Sequence, residues 1–248
     1  MYILSGLTTA FRTLTAFPSP GNESPVPGKS LKWFPIVGAV LGALTILLYG
    51  VLDAVAVLPG AGAQAFVLLV FLTLATRGLH IDGLADWADA FWGGYTRERC
   101  LDIMKDSNIG TFGAVAVGLL LLGKWIGLGA CLSNGQPQII VLATVMSRLV
   151  QVDLASCHSY ARSGSGTGRN FIDSATVKTL LFPVVTAFVI VALFTGLQTT
   201  IWAFITAFIV GRLFGAWCKY RLKGVTGDVL GAGSELTEMI LLLVLASA

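Results

Sequence analysis

WFPIVGAVLGALTILLYGVLDAVAVL, residues 33–58, holds one charged side chain, Asp53, in a run longer than the ~20 residues a helix needs to cross the hydrocarbon of a bilayer. Trp33 stands at its edge, where an interfacial anchor belongs. Comparable runs follow at residues 64–79, 109–132, 137–157, 180–196 and 199–217, and a shorter apolar tail closes the chain. A mean hydropathy of +0.82 and an apolar content of 55% lie beyond those of a soluble globular chain. The sequence therefore reads as an all-α, polytopic integral membrane helical bundle of about seven transmembrane helices. With no linker between two soluble parts, residues 1–248 form a single membrane-embedded domain. Ahead of residue 33, Ile3, Leu7, Phe11 and Leu14 recur at helical spacing, which fits equally an N-terminal interfacial helix and a first buried helix of the bundle. Residues 18–30, rich in Pro, Gly and Ser, read as a loop.

The polar residues are few, so their positions carry information. A net charge of +3, scattered over short loops, gives no footprint for nucleic acid. Cys100, Cys131, Cys157 and Cys218 show neither zinc-ligand nor disulfide-framework spacing. The first twenty residues lack a basic start, which argues against a cleaved signal peptide. Lys and Arg are absent from the connections near residues 58–64, 132–138 and 196–200. The alternate segments carry Lys29 and Lys32; Arg97, Arg99 and Lys105; Arg162, Arg169 and Lys178; and Lys219, Arg221 and Lys223. Because basic loops stay in the cytoplasm, this alternation predicts an inside N-terminus, an outside C-terminus and every polar motif on the cytoplasmic face of the membrane.

Among those motifs, RGLHIDGLADWADAFWGG, residues 77–94, places His80, Asp82, Asp86 and Asp89 within ten residues of a chain whose charged content is only 12%. On a helix the three aspartates fall at i, i+4 and i+7, on one face. Stacked carboxylates repel, and a divalent cation relieves them; hard oxygen ligands suit Mg²⁺, which bridges substrate phosphates. Gly83 would let a bulky ligand approach the backbone. His80 fits a metal ligand, a phosphate hydrogen bond, a base or a structural histidine. The next segment offers Lys105, Asp106 and Ser107, either a phosphate-neutralising group or a plain cap for the following span. Arg148 and Asp153 are intramembrane charges, functional by default, with a mutual pair or separate interhelical pairs as the alternative. Lys124 reads as a lysine snorkelling to the interface. YARSGSGTGRN, residues 160–170, supplies Tyr160, Arg162 and Arg169 for an anionic ligand, and Asp228, Glu235 and Glu238 form a second acidic group that would permit a two-metal arrangement.

GLHIDGLADWADAFWGG, then RERCLDIMKDSNIGTFG at residues 97–113 and GVTGDVLGAGSELTE at residues 224–238, together resemble the cobalamin synthase family of adenosylcobinamide-GDP ribazoletransferases. FPSP, WFPIVG, the Ser147–Arg148 pair and YAR extend the resemblance over most of the chain. Ala16 in place of an Arg, Asp102 in place of a Glu, and a longer SGSGTG turn depart from the family's pattern. The resemblance implies a Mg²⁺-dependent membrane enzyme that joins adenosylcobinamide-GDP to α-ribazole, or its 5′-phosphate, releasing GMP and completing the nucleotide loop of adenosylcobalamin. His80, Asp82, Asp86, Asp89, Lys105, Asp106, Ser107, Asp228 and Glu235 match the family's motif positions. On that reading Asp82, Asp86 and Asp89 hold Mg²⁺ with Asp106 sharing the site, and Lys105 stabilises the leaving GMP. His80 or one of the acids takes the proton of the attacking hydroxyl. Ser107, Arg148, Arg162, Asp228 and Glu235 contribute to substrate binding.

Two rivals come from other classes. A CDP-alcohol phosphotransferase also clusters aspartates at a membrane boundary, but its DxxDGxxAR pattern is not present here. An ion-coupled transporter would place such acids mid-bilayer within broken helices and internal repeats, and no repeat is visible in the sequence. The expected partners are the two substrates and the lipid bilayer, with no nucleic acid; a homo-oligomer is compatible with the sequence.

Overall fold

The protein's structure is a computed structural model that describes residues 2–246, except 57, 165 and 167. Among the described residues eleven α-helices follow one another, with no strand and only an isolated bridge between Tyr160 and Val225. α1 covers Tyr2–Leu14, α2 Phe34–Val55, α3 Gly60–Ala75, α4 Leu79–Gly93, α5 Arg97–Ile103 and α6 Thr111–Ser133. α7 covers Gln138–Cys157, α8 Arg169–Asp173, α9 Leu181–Thr195, α10 Leu197–Leu222 and α11 Gly227–Leu245. Among the described residues five segments are long and apolar enough to cross a bilayer: Pro27–Val55, Thr111–Ser133, Gln138–Cys157, Val177–Thr195 and Leu197–Leu222. The α3–α4 pair, bent by 87°, raises the count to six if it is one span.

The protein is thus an all-α polytopic membrane protein, with five or six candidate spans among the described residues where about seven were expected. Two physical reasons account for the difference. At the break between α3 and α4, Arg77 and Gly78 both take left-handed backbone angles (φ 55° and 64°), so the apolar run turns instead of continuing. α11, expected as a turn and a helix bearing Glu235 and Glu238 ahead of a short apolar tail, is one helix that carries Asp228, Glu235 and Glu238 and lies in the middle of the bundle, against α4, α6, α7 and α10.

Burial separates inside from outside in the way a lipid solvent demands. α7 is buried on all sides: from Ile139 to Ser156 every side chain but that of Asp153 is enclosed. α2 reaches it through Gly38 and Gly42. A Cβ at Gly38 would stand 2.4 Å from the Thr144 carbonyl oxygen, and one at Gly42 2.6 Å from the Val141 Cα. Two small residues one turn apart let the backbones touch where dispersion must drive association. The outer helices expose Leu47, Phe66, Leu74, Leu119, Phe188, Leu193, Phe208 and Leu213, an arrangement stable only in hydrocarbon. α1, 13 residues long, is too short to span; it buries Ala10 and Leu14, and its end is tied to the bend by hydrogen bonds from the Arg77 guanidinium to the Arg12 carbonyl (2.7 Å) and from the Ala16 N–H to the Ala75 carbonyl (2.7 Å). The Ile3 side chain lies outside the described residues, as do Ser165 and Thr167 of the SGSGTG turn.

Candidate active site

α4 is the element on which the site is built. Its apolar side, with Leu84, Trp87, Ala88 and Phe91, is buried, while Asp82 is exposed and Asp86 and Asp89 are half-buried. The N-terminal turn of α11 crosses α4 at Gly83. A Cβ there would meet the Asp228 carbonyl oxygen at 2.8 Å and the Asp228 Cα at 3.0 Å. Gly83 therefore admits a neighbouring helix, not the bulky ligand expected of it. The crossing sets Asp228 beside Asp82 and Asp86.

Asp228 Oδ2 accepts hydrogen bonds from Arg162 Nη2 (2.9 Å) and Thr226 Oγ1 (3.2 Å). Burial pushes its carboxyl above the usual carboxylate range, against the opposing pull of Arg162. Arg162 is brought there by the loop after α7: the Ala161 N–H donates to the Val225 carbonyl (2.9 Å), and the Val225 N–H to the Ser159 carbonyl (2.9 Å). Arg162 also donates to the Met104 carbonyl at 3.2 Å, fastening the end of α5 to the same place. Asp86 lies within electrostatic reach of Asp82, Asp89, Asp228 and Arg162. Neither the Asp82 nor the Asp86 carboxylate accepts a hydrogen bond from a described residue.

Asp89 behaves differently. Its two oxygens accept the backbone N–H groups of Gly110 (2.7 Å) and Gly113 (2.8 Å), the free amides at the start of α6. The cap expected from Asp106 or Ser107 comes instead from another helix, and both glycines sit so close that a Cβ on either would collide with the carboxylate. Lys105, Asp106 and Ser107 stand exposed on the connection between α5 and α6. Asp106 accepts both the Asn108 N–H (3.0 Å) and its side-chain amide (2.7 Å), which hold its carboxyl below the usual range. Lys105 lies 3.8 Å from Asp102.

Arg148 and Glu235 belong to a second group, inside the bundle. Lys124 Nζ of α6 pairs with Glu235 Oε2 (2.8 Å) and Glu238 Oε1 (2.7 Å), both on α11. Arg148 Nη1 of α7 pairs with Glu238 Oε2 (2.7 Å) and donates to Ser147 Oγ (2.7 Å) and Ser234 Oγ (3.3 Å). Lys124 thus points inward, at 3% exposure, and does not snorkel, because two carboxylates await it. Arg148 and Asp153 take separate interhelical partners, Asp153 going to Arg212 of α10 at 2.7 Å. With their charge taken up by Lys124 and Arg148, Glu235 and Glu238 do not form a second metal-binding cluster.

His80 joins the two groups. It is buried, with Nδ1 3.9 Å from Glu235 Oε1, and it lines a cavity of ≈ 460 Å³ together with Asp82, Asp228 and Gln151. Lys124, Glu238 and Gln151 were the residues that sequence reasoning undervalued. Their signal was present: polar side chains inside apolar runs, at positions that need a partner. Among the described residues no three His, Cys, Asp or Glu side chains form a ready-made metal cage. The Asp82 and Asp86 carboxylates, without hydrogen bonds from described residues, suit Mg²⁺, which needs only one or two carboxylates when substrate phosphates and water complete its shell.

Residues 6–246 match the family model described as cobalamin-5-phosphate synthase. The chain is 42% identical to the adenosylcobinamide-GDP ribazoletransferase of Chlorobium chlorochromatii, over 96% of this chain and 94% of that one. It is 42% identical to the protein of that name from Prosthecochloris aestuarii (96% of each chain) and 37% identical to that from Syntrophobacter fumaroxidans (96% and 95%). No solved structure matches the chain. The chain belongs to the cobalamin-5-phosphate synthase family.

Proposed function

We propose that this member of the family transfers the adenosylcobinamide phosphate moiety from adenosylcobinamide-GDP to α-ribazole or its 5′-phosphate, releasing GMP, with Mg²⁺ bound at Asp82 and Asp86. The observation that carries the reading is the crossing of α4 and α11 at Gly83, which gathers Asp82, Asp86 and Asp228 around a single cation, Arg162. When bound, Mg²⁺ would neutralise and orient the diphosphate.

The residues of the chain supply positioning and charge. A ribazole hydroxyl attacks the phosphorus attached to the cobinamide side, the bond to the GMP oxygen breaks, and no covalent bond to protein is formed. Arg162, held by Asp228 and the Met104 carbonyl, presents its guanidinium beside the acids, where a fork of donors suits phosphate oxygens. Lys105, on its exposed connection, is free to meet the leaving GMP, and Asp106 and Ser107 travel with it. Asp89 pins the start of α6, and with it that connection, next to the acids. The proton of the attacking hydroxyl passes to His80 or Asp82, both of which line the cavity. The alternation of basic loops supports a cytoplasmic site in the inner membrane, from which soluble nucleotide substrates are drawn.

The test is GMP release by purified protein in lipid nanodiscs. Adenosylcobinamide-GDP with α-ribazole and Mg²⁺ should yield GMP and the joined cobamide, and chelation should stop both. GMP formed equally without acceptor would make the protein a hydrolase. CMP released from a CDP-alcohol instead would favour the lipid-type phosphotransferase.

A further inference from the structure

We infer that Arg97, at the start of α5, is a positioning residue of the transfer reaction: its guanidinium holds the peptide from which Arg162 reaches the substrate diphosphate. The inference rests on the function proposed above, in which Arg162 is the cation set among Asp82, Asp86 and Asp228.

Arg162 is gripped from two sides. Its Nη2 donates to the Met104 carbonyl (3.2 Å) and to Asp228 Oδ2 (2.9 Å), which leaves Nη1 without a hydrogen-bond partner among the described residues and available to a phosphate oxygen. Behind it, the Ala161 carbonyl, which belongs to the peptide bond leading into Arg162, accepts from Arg97 Nη2. Arg97 Nε donates at the same time to the Leu222 carbonyl (2.8 Å), among the last of α10, where Lys223 turns left-handed (φ 61°) and the helix stops. One planar fork therefore joins the end of α10 to the loop after α7.

That loop has little else to fix its direction. Gly224 lies against it, since a Cβ there would stand 2.4 Å from the Ser159 carbonyl oxygen and 3.1 Å from the Ala161 Cα. The pairing with Val225 engages the Ala161 N–H. The Ala161 carbonyl, and with it the peptide plane that launches Arg162, is left to Arg97. Both grips come from one short rod: α5 is seven residues long, so Arg97 and the Met104 carbonyl stand ~10 Å apart along it. Arg97 acts through these bonds and not through its charge, which lies 3.5 Å from Glu98 at the surface, where an ion pair contributes little. Arg221 provides the contrast. It ties α10 to the end of α4 through the Phe91 and Gly94 carbonyls and donates to none of residues 159–162.

The experiment measures transfer by the full chain in nanodiscs, with adenosylcobinamide-GDP, α-ribazole 5′-phosphate and Mg²⁺, for Arg97→Met, Arg162→Met and the double variant. Arg97→Met should lower kcat about tenfold, the equivalent of one hydrogen bond from a charged group, with the donor KM within about threefold of the parent. In the Arg162→Met background the same substitution should cost less than about twofold, because nothing remains to be positioned, whereas Arg221→Met should act equally in both backgrounds. Arg97→Lys, which keeps a donor but not the fork, should lower kcat about threefold and supplies the readout if Arg97→Met fails to fold. Equal losses with and without Arg162, an effect confined to the donor KM, or normal kinetics in both Arg97 variants would overturn the positioning role and leave the transfer reading standing. Should the parent release no GMP, the transfer reading falls, and calorimetry with inorganic pyrophosphate and Mg²⁺ decides the positioning: Arg97→Met should weaken binding about tenfold only while Arg162 is present. Pyrophosphate binding indifferent to Arg97, or absent from the parent, would overturn the positioning role too.

Discussion

Lys124→Met tests whether the buried ionic group holds the site together. Methionine keeps the unbranched stem and removes the ammonium. What remains is Arg148 facing Glu235 and Glu238, whose side chains are 3% and 2% exposed. The intact group sums to zero, with two cations against two carboxylates; the variant leaves a net buried negative charge. Breaking such a pair by deleting one partner costs roughly 3–5 kcal/mol, because the orphaned carboxylate keeps its desolvation penalty. At ~2–4 °C per kcal/mol for a chain of this length, melting should fall by roughly 6–20 °C. The chain carries its own probe: Cys100, Cys131 and Cys218 are buried thiols that react with a fluorogenic maleimide only on unfolding. The added substitution Glu235→Gln restores the balance, leaving Arg148 with Glu238, and should recover most of the loss, a coupling that two independent sites would not show. Melting of Lys124→Met within about 2 °C of the parent, or a double variant less stable than the single one, would refute the account. Since His80 stands 3.9 Å from Glu235, the single variant should also lose transfer activity at temperatures where it remains folded.

Asp82→Asn and Asp86→Asn should each lower transfer at least ~100-fold without lowering the melting temperature, because neither side chain holds the fold together; near-normal turnover in both would remove the basis for a metal there. Gly83→Ala should destabilise by ~1–3 kcal/mol and depress activity, since backbone atoms of Asp228 block the new methyl, whereas Gly118→Ala, with open space around it, should do neither in the same melting assay. Asp89→Ala should cost ~0.5–2 kcal/mol and speed amide exchange at Gly110 and Gly113, read by mass spectrometry; unchanged exchange would mean the cap contributes nothing.

Hydropathy made most of the fold legible, because a span must satisfy its backbone internally and a long apolar run admits no other structure. It failed at the two places where apolar content and path diverge. Residues 64–79 looked like a span that runs straight into the acidic stretch, yet the left-handed Arg77 and Gly78 turn the chain through 87°. The apolar end of α11 looked like a short tail because the acids before it dilute the hydropathy, and only the packing shows that Lys124 and Arg148 neutralise Glu235 and Glu238. The i, i+4, i+7 spacing did put the three aspartates on one face of α4. It had no way of giving Asp89 a different duty, since that depends on where α6 begins in space. Gly83 was misread for a similar reason: a missing side chain marks a close approach without saying what approaches.

The two acidic groups differ in what surrounds them, and that difference separates scaffold from chemistry. Glu235 and Glu238 have cations at 2.7–2.8 Å, and Glu238 also accepts the Ser147 hydroxyl, so they have no electrostatic need of a ligand. At the other end of α11, Asp82, Asp86, Asp89 and Asp228 share a single close guanidinium, and the backbone amides of α6 relieve only Asp89. An excess of like charge held in place by a helix crossing is unfavourable for the protein alone and favourable for a divalent cation carrying phosphate. The cluster persists because Gly83 packs against Asp228 backbone atoms, which repulsion between side chains has no means of spreading apart. The buried ion pairs therefore serve the site indirectly: they fix α11 against α4, α6 and α7, and the rigid crossing keeps uncompensated carboxylates together where a diphosphate would need them.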